Sequence, residues 1–195
     1  MGSFITRCFT AWYADAGFSG AIYMGTGGAN PAAAAGDILS AGLAKIKGTK
    51  HKSKFLDKLT FGAYNKKFEG RTPFDWLTRD PKIVDQYIAD DYCGFLFTVQ
   101  GMNDLVKLNI NANTAEWYAK VPKDIPILVV SGDMDPVGNY GVGIKEVHSK
   151  LVESGHAKAQ IKLYENGRHE ILNEINKEEV YADILGFIEN NVLGD

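Results

Sequence analysis

Apolar residues return at Phe4, Ile5, Cys8, Phe9 and Trp12, the spacing of one helix face, and Gly17 stops the run. The next segment, GAIYMGTGG (Gly20–Gly28), reads as a short apolar strand that runs out into glycines. Asn30 as a cap and Pro31 at the first helical position open a further helix, with AAAAGDILSAGLAKI behind them. From about Gly48 to Pro122 the alternation of a strand is absent. KFLDKLTFGAYNKKF, TPFDWL, PKIVDQYIADDYCGFLFT and MNDLVKLNINANTAEWYA predict short helical pieces. They carry too many large apolar residues for a disordered linker. Regular order returns at Ile125–Ser131, an uninterrupted apolar run of the kind buried in parallel sheets. Val142–Leu151 is amphipathic through Ile144, Val147 and Leu151, with Gly155 placed to end it. Gln160–Tyr164 alternates Ile161 and Leu163. Asn176-x-x-Glu179 reads as a capping box opening a last helix with Val180, Ile184, Phe187 and Ile188 on one face. Strands separated by helices predict a parallel sheet with helices on its faces.

In such sheets ligands gather beyond the carboxyl ends of the strands. Asp133 and Asp135 lie beyond one such end, in ILVVSGDMDPVG, and His169 lies beyond the next, in ENGRHE. Adjacent loops on one sheet edge can bring a carboxylate to an imidazole, fixing its tautomer and stabilising the imidazolium. Asp, Gly and Pro after a strand are also ordinary turn chemistry. It is the pair, acid before histidine on consecutive elements, that points to catalysis.

The chain has 195 residues, 45% of them hydrophobic, enough for one domain with its own core. Its net charge of −3 offers no footprint for nucleic acid. Cys8 and Cys93 stand far apart, so neither a disulfide framework nor a zinc site is expected, and a cytoplasmic location is the default. No apolar run approaches the roughly 20 residues of a membrane span, and no leader peptide is expected. MGTGG lacks the Lys-Ser/Thr of a phosphate loop and reads as a flexible exit from the strand. No metal-ligand cluster appears and no cofactor is expected. His51, His148 and His156 are read as surface residues. KIKGTKHKSK (Lys45–Lys54) holds five lysines. It reads chiefly as a solvated loop, with transient contact to anionic lipid headgroups as the functional alternative.

SGDMDPVGNYG followed by LYENGRHEILNE resembles the acid and histidine loops of α/β-hydrolases of the monoacylglycerol lipase and lysophospholipase type. TPFDWLTRDPKIVDQYIADDYCGFLFT resembles the helical lid of bacterial members, and GAIYMGTGG the strand that leads into it. The resemblance covers essentially the whole chain. It implies an α/β fold, the C-terminal part of an α/β-hydrolase, with residues 1–28 and 123–195 as a partial core and residues 29–122 as a helical lid insertion. It implies Asp135 as the triad acid and His169 as the general base, Asp133 serving instead to shape the turn through side-chain to backbone bonds. It further implies an acyl-chain pocket lined by Phe74, Trp76, Tyr92, Phe95 and Phe97, and a small acyl ester or lipid as substrate. For each aromatic, packing between lid and body is the simpler alternative.

The nucleophile in such enzymes is the Ser of G-x-S-x-G. The opening MGSFITRCFTAWY is similar to the residues that follow it, with Gly2 as the last glycine of the elbow. Met1 would then supply an oxyanion-hole amide, and the serine would fall just before it. Ser3, three places beyond the elbow, is expected to cap the first helical turn and not to replace the nucleophile. Two readings follow. One is a serine ester hydrolase whose nucleophile precedes this chain; the other is a non-catalytic chain that folds or associates only with a partner. Thioesterases and peptidases share the machinery. The first strand would be a bare parallel edge, so self-association through it is expected.

Overall fold

The computed structural model describes residues 1–194. Three strands, β1 (Ala21–Met24), β2 (Ile127–Gly132) and β3 (Ala159–Tyr164), pair in the order β1-β2-β3 with both pairs parallel. Parallel neighbours need a crossover, and helices supply both. Between β1 and β2 lie α2 (Ala33–Lys47), α3 (Lys54–Phe61), α4 (Pro81–Ala89), α5 (Val99–Ala112) and α6 (Ala115–Lys120). Between β2 and β3 lies α7 (Val142–Glu153). Helix α1 (Gly2–Trp12) precedes the sheet and α8 (Lys177–Ile188) follows it. This is the order that the hydrophobic pattern predicts.

Alternation along the strands builds two cores. Tyr23, Ile127 and Val129 point to one face, where Ala11 of α1, Trp117 and Tyr118 of α6, and Ile144, Val147 and Leu151 of α7 close over them. Ile22, Met24, Leu128 and Val130 point to the other, against Val180, Ile184, Phe187 and Ile188 of α8. Every residue of β2 is buried, as a central strand with helices on both sides requires. A separate small core forms where α2, α3 and α5 meet, through Leu43, Leu56, Val99 and Met102. Helix α6 belongs by sequence position to the insertion, but its Trp117 and Tyr118 pack in the body of the sheet.

Three local expectations are corrected, and α1 adds a feature that the pattern left open. In α1 the buried face is Phe4, Arg7, Thr10 and Ala11, while Ile5, Phe9 and Trp12 of the apolar stripe are exposed. Most of the stripe thus faces away from the sheet, Phe4 being its one buried member, and the buried side also carries Arg7, which bonds to backbone carbonyls there. Ser3 makes no capping bond; Met1 is the N-cap position, and no side chain caps α1. Asn176 is the N-cap of α8, yet its side chain makes no bond to the first-turn amides. Its Oδ1 accepts from Arg79 Nη2 at 2.6 Å and its Nδ2 donates to Glu179 Oε2 at 2.9 Å, so the two box side chains bond each other. His156 is fully buried, not on the surface. Its Nδ1 lies 2.9 Å from the Leu151 carbonyl at the end of α7, and its Nε2 lies 3.1 Å from the Val121 carbonyl. Burial pushes this imidazole below its ordinary pKa, with Lys123 acting in the same direction.

Candidate active site

Strand β2 ends at Gly132 because the chain must turn against the next loop. A Cβ at Gly132 would lie 1.9 Å from the Gly167 carbonyl oxygen, so only glycine fits. The turn that follows puts Asp135 at 0% exposure beneath the site. Its Oδ1 accepts the Val137 amide at 2.9 Å, a side-chain to backbone bond that shapes the turn. Its Oδ2 accepts the Ser131 hydroxyl at 2.9 Å and lies 2.9 Å from His169 Nδ1. The turn-shaping role expected of Asp133 is therefore performed by Asp135. Asp133 Oδ1 is buried without a hydrogen-bond partner among the described residues.

His169 follows β3 and sits between two constraints. On one side is Gly25, at φ +58°, where a Cβ would come within 3.0 Å of the imidazole Cε1. A side chain there would be strained in backbone and would also push the ring away. On the other side is Trp76, whose ring centroid lies 5.3 Å from that of His169 at an angle of 45°. The exit of β1 is thus packed, not flexible: Thr26 and Gly27 are buried, and Arg7 Nη1 donates to Thr26 Oγ1 at 3.1 Å and to the Gly27 carbonyl at 2.9 Å. Tyr64 packs edge-on against Trp76, and burial pushes its phenol up to about 12, helped by the Asp135 charge.

With Nδ1 engaged by Asp135, Nε2 is the nitrogen left to exchange a proton. An open cleft of about 260 Å³ is lined by His169 together with Met1, Gly2, Ser3, Met24 and Leu172 among others. The Met1 main-chain nitrogen belongs to this neighbourhood: burial lowers its amine pKa and the Asp135 carboxylate opposes that shift. Ser3 lines the cleft but makes no hydrogen bond to His169 among the described residues. Of the five aromatics assigned to an acyl pocket, Trp76 alone is in ring contact with His169. Phe74 packs on Tyr87, Phe97 packs on Phe61 and Phe95, and Tyr92 is 88% exposed. The residues that the pattern did not single out are Ser131, Gly25 and Glu174. Ser131 is the one polar side chain in an apolar strand, a signal visible in the sequence.

The family model described as serine aminopeptidase, S33 matches residues 17–176. Among solved structures, a highly thermostable carboxyl esterase from Bacillus coagulans, in complex with glycerol, is 32% identical with a TM-score of 0.89; the match covers 97% of this chain and 62% of that one. A lipase in an open form is 25% identical with a TM-score of 0.81, covering 96% of this chain and 62% of the other. A soluble variant of monoglyceride lipase from Saccharomyces cerevisiae, with a substrate analogue, shares the fold at 16% identity and a TM-score of 0.68, covering 97% and 59%. No curated protein sequence matches the chain. The chain therefore spans about three fifths of the length of these structures. No helix among the described residues is long and apolar enough to cross a membrane.

Proposed function

The chain belongs to the serine aminopeptidase S33 family of α/β-hydrolases, and from that premise we propose that it carries the acid and base of a serine-dependent carboxylic-ester hydrolase. The observation that carries the reading is the 2.9 Å contact of His169 Nδ1 with buried Asp135 Oδ2 at the edge of an open cleft. In the complete enzyme a serine just before Met1 attacks the ester carbonyl. His169 Nε2 takes the hydroxyl proton, and the Met1 amide donates to the oxyanion. As the tetrahedral intermediate collapses, Nε2 returns the proton to the leaving alcohol and the acyl group stays on the serine. Water, deprotonated by the same nitrogen, then releases the acid. Asp135 holds the ring and stabilises its charged form throughout. The position of Met1 on the cleft supports this placing of the nucleophile, as does the esterase likeness.

The substrate we infer is a monoacylglycerol, a lysophospholipid or a similar acyl ester. Met1, Met24 and Leu172 give the cleft an apolar lining for an acyl chain, with Trp76 flanking the imidazole. The test is a fluorophosphonate probe, which labels only an activated serine. A version extended upstream through Gly-x-Ser is expected to label, and the same version with His169→Gln is expected to lose labelling. The 195 residues alone are expected to stay unlabelled. An extended version that folds and does not label rejects the reading in favour of a non-catalytic chain. Hydrolysis of p-nitrophenyl acyl esters against aminoacyl anilides separates esterase from peptidase.

Two surfaces support further contacts. The outer edge of β1 has no strand partner among the described residues, and beside it α1 exposes Ile5, Phe9 and Trp12. Preceding strands would cover this face in the complete enzyme. The 195 residues alone are expected to elute from size-exclusion chromatography ahead of a monomer. On the insertion, Ile46 is 79% exposed among the lysines, and Phe55 and Leu59 are exposed one helix later. That pairing of apolar and cationic side chains supports transient contact with an anionic membrane, checked by co-sedimentation with phosphatidylserine vesicles.

A further inference from the structure

Glu174 stands where the histidine loop gives way to α8, with 1% of its surface exposed. It is not among the residues of the cleft. A buried carboxylate is costly unless its lone pairs are met, and here four donors converge on it. Oε1 accepts the Arg168 amide at 2.9 Å and the Arg79 amide at 3.1 Å. Oε2 accepts Arg79 Nε–H at 2.8 Å and the Ile175 amide at 3.1 Å. Two donors come from the insertion and two from the histidine loop, so the one side chain closes a seam between them.

The rest of the seam runs toward the imidazole. The His169 amide donates to the Trp76 carbonyl at 3.4 Å, a long bond, and the Glu170 amide to the Leu77 carbonyl at 2.7 Å. Arg168 Nη1 donates to the Asp75 carbonyl at 2.6 Å, and Thr78 Oγ1 to the Asn173 carbonyl at 2.9 Å. Glu174 therefore grips the residue just before His169 and the residue three beyond Trp76. We propose that Glu174 is a positioning residue for His169, setting the imidazole against Asp135 and holding the insertion's indole beside it through a buried carboxylate at the centre of the seam. The proposal rests on the reading of His169 as the base. It makes the insertion more than a cover: any displacement of residues 76–79 is passed to the ring.

Glu174→Gln tests this. The amide nitrogen would have to face either Arg79 Nε–H and the Ile175 amide or the two main-chain amides opposite, donor against donor, so half the grip is lost at nearly constant volume. The first readout is the His169 tautomer, from ¹⁵N shifts of the labelled ring, assigned by its loss in His169→Gln. It is measured on whichever chain length is monomeric, since both residues are present in each. The ratio of Nδ1–H to Nε2–H forms is expected to fall about tenfold, the factor held by one hydrogen bond of ordinary net strength. A merely structural residue would change the unfolding midpoint and leave that ratio alone. In the serine-bearing enzyme kcat is expected to fall about 10²-fold with KM within about threefold, as for a displacement of about 1 Å at the reacting groups. Should Glu174→Gln fail to fold, Arg79→Lys keeps the charge and removes the Nε donor, and a smaller shift in the same direction is expected. A folded variant of either kind with an unchanged His169 tautomer overturns the proposal. A serine-bearing protein that never takes the fluorophosphonate overturns the hydrolase reading instead, and the ring measurement still decides on Glu174.

Discussion

Asp135→Asn in the serine-bearing enzyme is expected to lower kcat about 10⁴-fold while KM stays within about threefold, on the assignment proposed above. The size follows from how fully Asp135 is used. It is completely buried, and its two oxygens accept from Val137 N, Ser131 Oγ and His169 Nδ1. An asparagine of the same shape must place its NH₂ at one of these positions. At the Oδ2 position it donates toward Nδ1, so the ring is held with its proton on Nε2 and cannot act as a base. At the Oδ1 position it meets the Val137 amide, donor against donor, and the turn opens. Neither arrangement touches the cleft proposed to take the substrate, hence the effect on kcat alone. Asp133→Asn is the control, with an effect under about threefold, since Asp133 Oδ1 bonds to nothing among the described residues. Steady-state kinetics on a p-nitrophenyl acyl ester checks both. Retention of more than about a tenth of kcat by Asp135→Asn rules out Asp135 as the residue that orients the base.

The framework around that pair was legible because it depends on short-range pattern. Ile127 to Val130 reads as a buried parallel strand and Val142–Leu151 as the helix that returns the chain to its neighbour, so the loops after β2 and β3 could be expected to meet. Turn chemistry alone did not choose between Asp133 and Asp135. That choice turns on which carboxylate is aimed at a ring 34 residues further along. Glu174 was hidden for the same reason, since its Arg79 partners lie 95 residues away. The insertion's aromatics were legible as apolar and illegible as to role: Trp76 meets the imidazole, while Tyr92, also a large aromatic, is left in solvent. His156 carried no signal at all, because what buries it is a pair of carbonyls on two other segments. In α1 the pattern gave the helix and not the direction of its apolar face. Ile5, Phe9 and Trp12 face outward, and the buried side, which holds Phe4, Thr10 and Ala11, also carries one cation.

That cation is Arg7, and Arg7→Met is expected to destabilise the folded chain by at least about 3 kcal/mol. The guanidinium is 0% exposed and has no carboxylate partner among the described residues. Burial accordingly pushes its pKa below the ordinary arginine value. It is stabilised by oxygens and by a ring. Nη1 donates to Thr26 Oγ1 and the Gly27 carbonyl, Nη2 donates to the Ala112 carbonyl and, at 3.0 Å, to Asn113 Oδ1, and the group lies 4.4 Å above the Trp117 ring. Ala112 is the last residue of α5, so its carbonyl is at the negative end of that helix. Methionine matches the stem and removes the cost of burying a charge. That relief is why replacing a buried ion pair with apolar residues is often harmless. Here the partners are not ions that leave with it. The oxygens at residues 26, 27, 112 and 113 stay where they are, and each that loses its donor inside the core costs about 1–3 kcal/mol. Arg7→Lys separates the contributions: it restores the charge, but a single ammonium cannot span acceptors on both β1's exit and the end of α5, so about half the loss should remain. Denaturant unfolding of the three proteins measures this, with Arg7→Met expected to melt roughly 6–12 °C lower. A Met variant within about 1 kcal/mol of the parent would mean that the four oxygens find water or other donors, and that α1 is held to the sheet by Phe4, Ala11 and the Thr10–Tyr23 hydroxyl pair without the guanidinium.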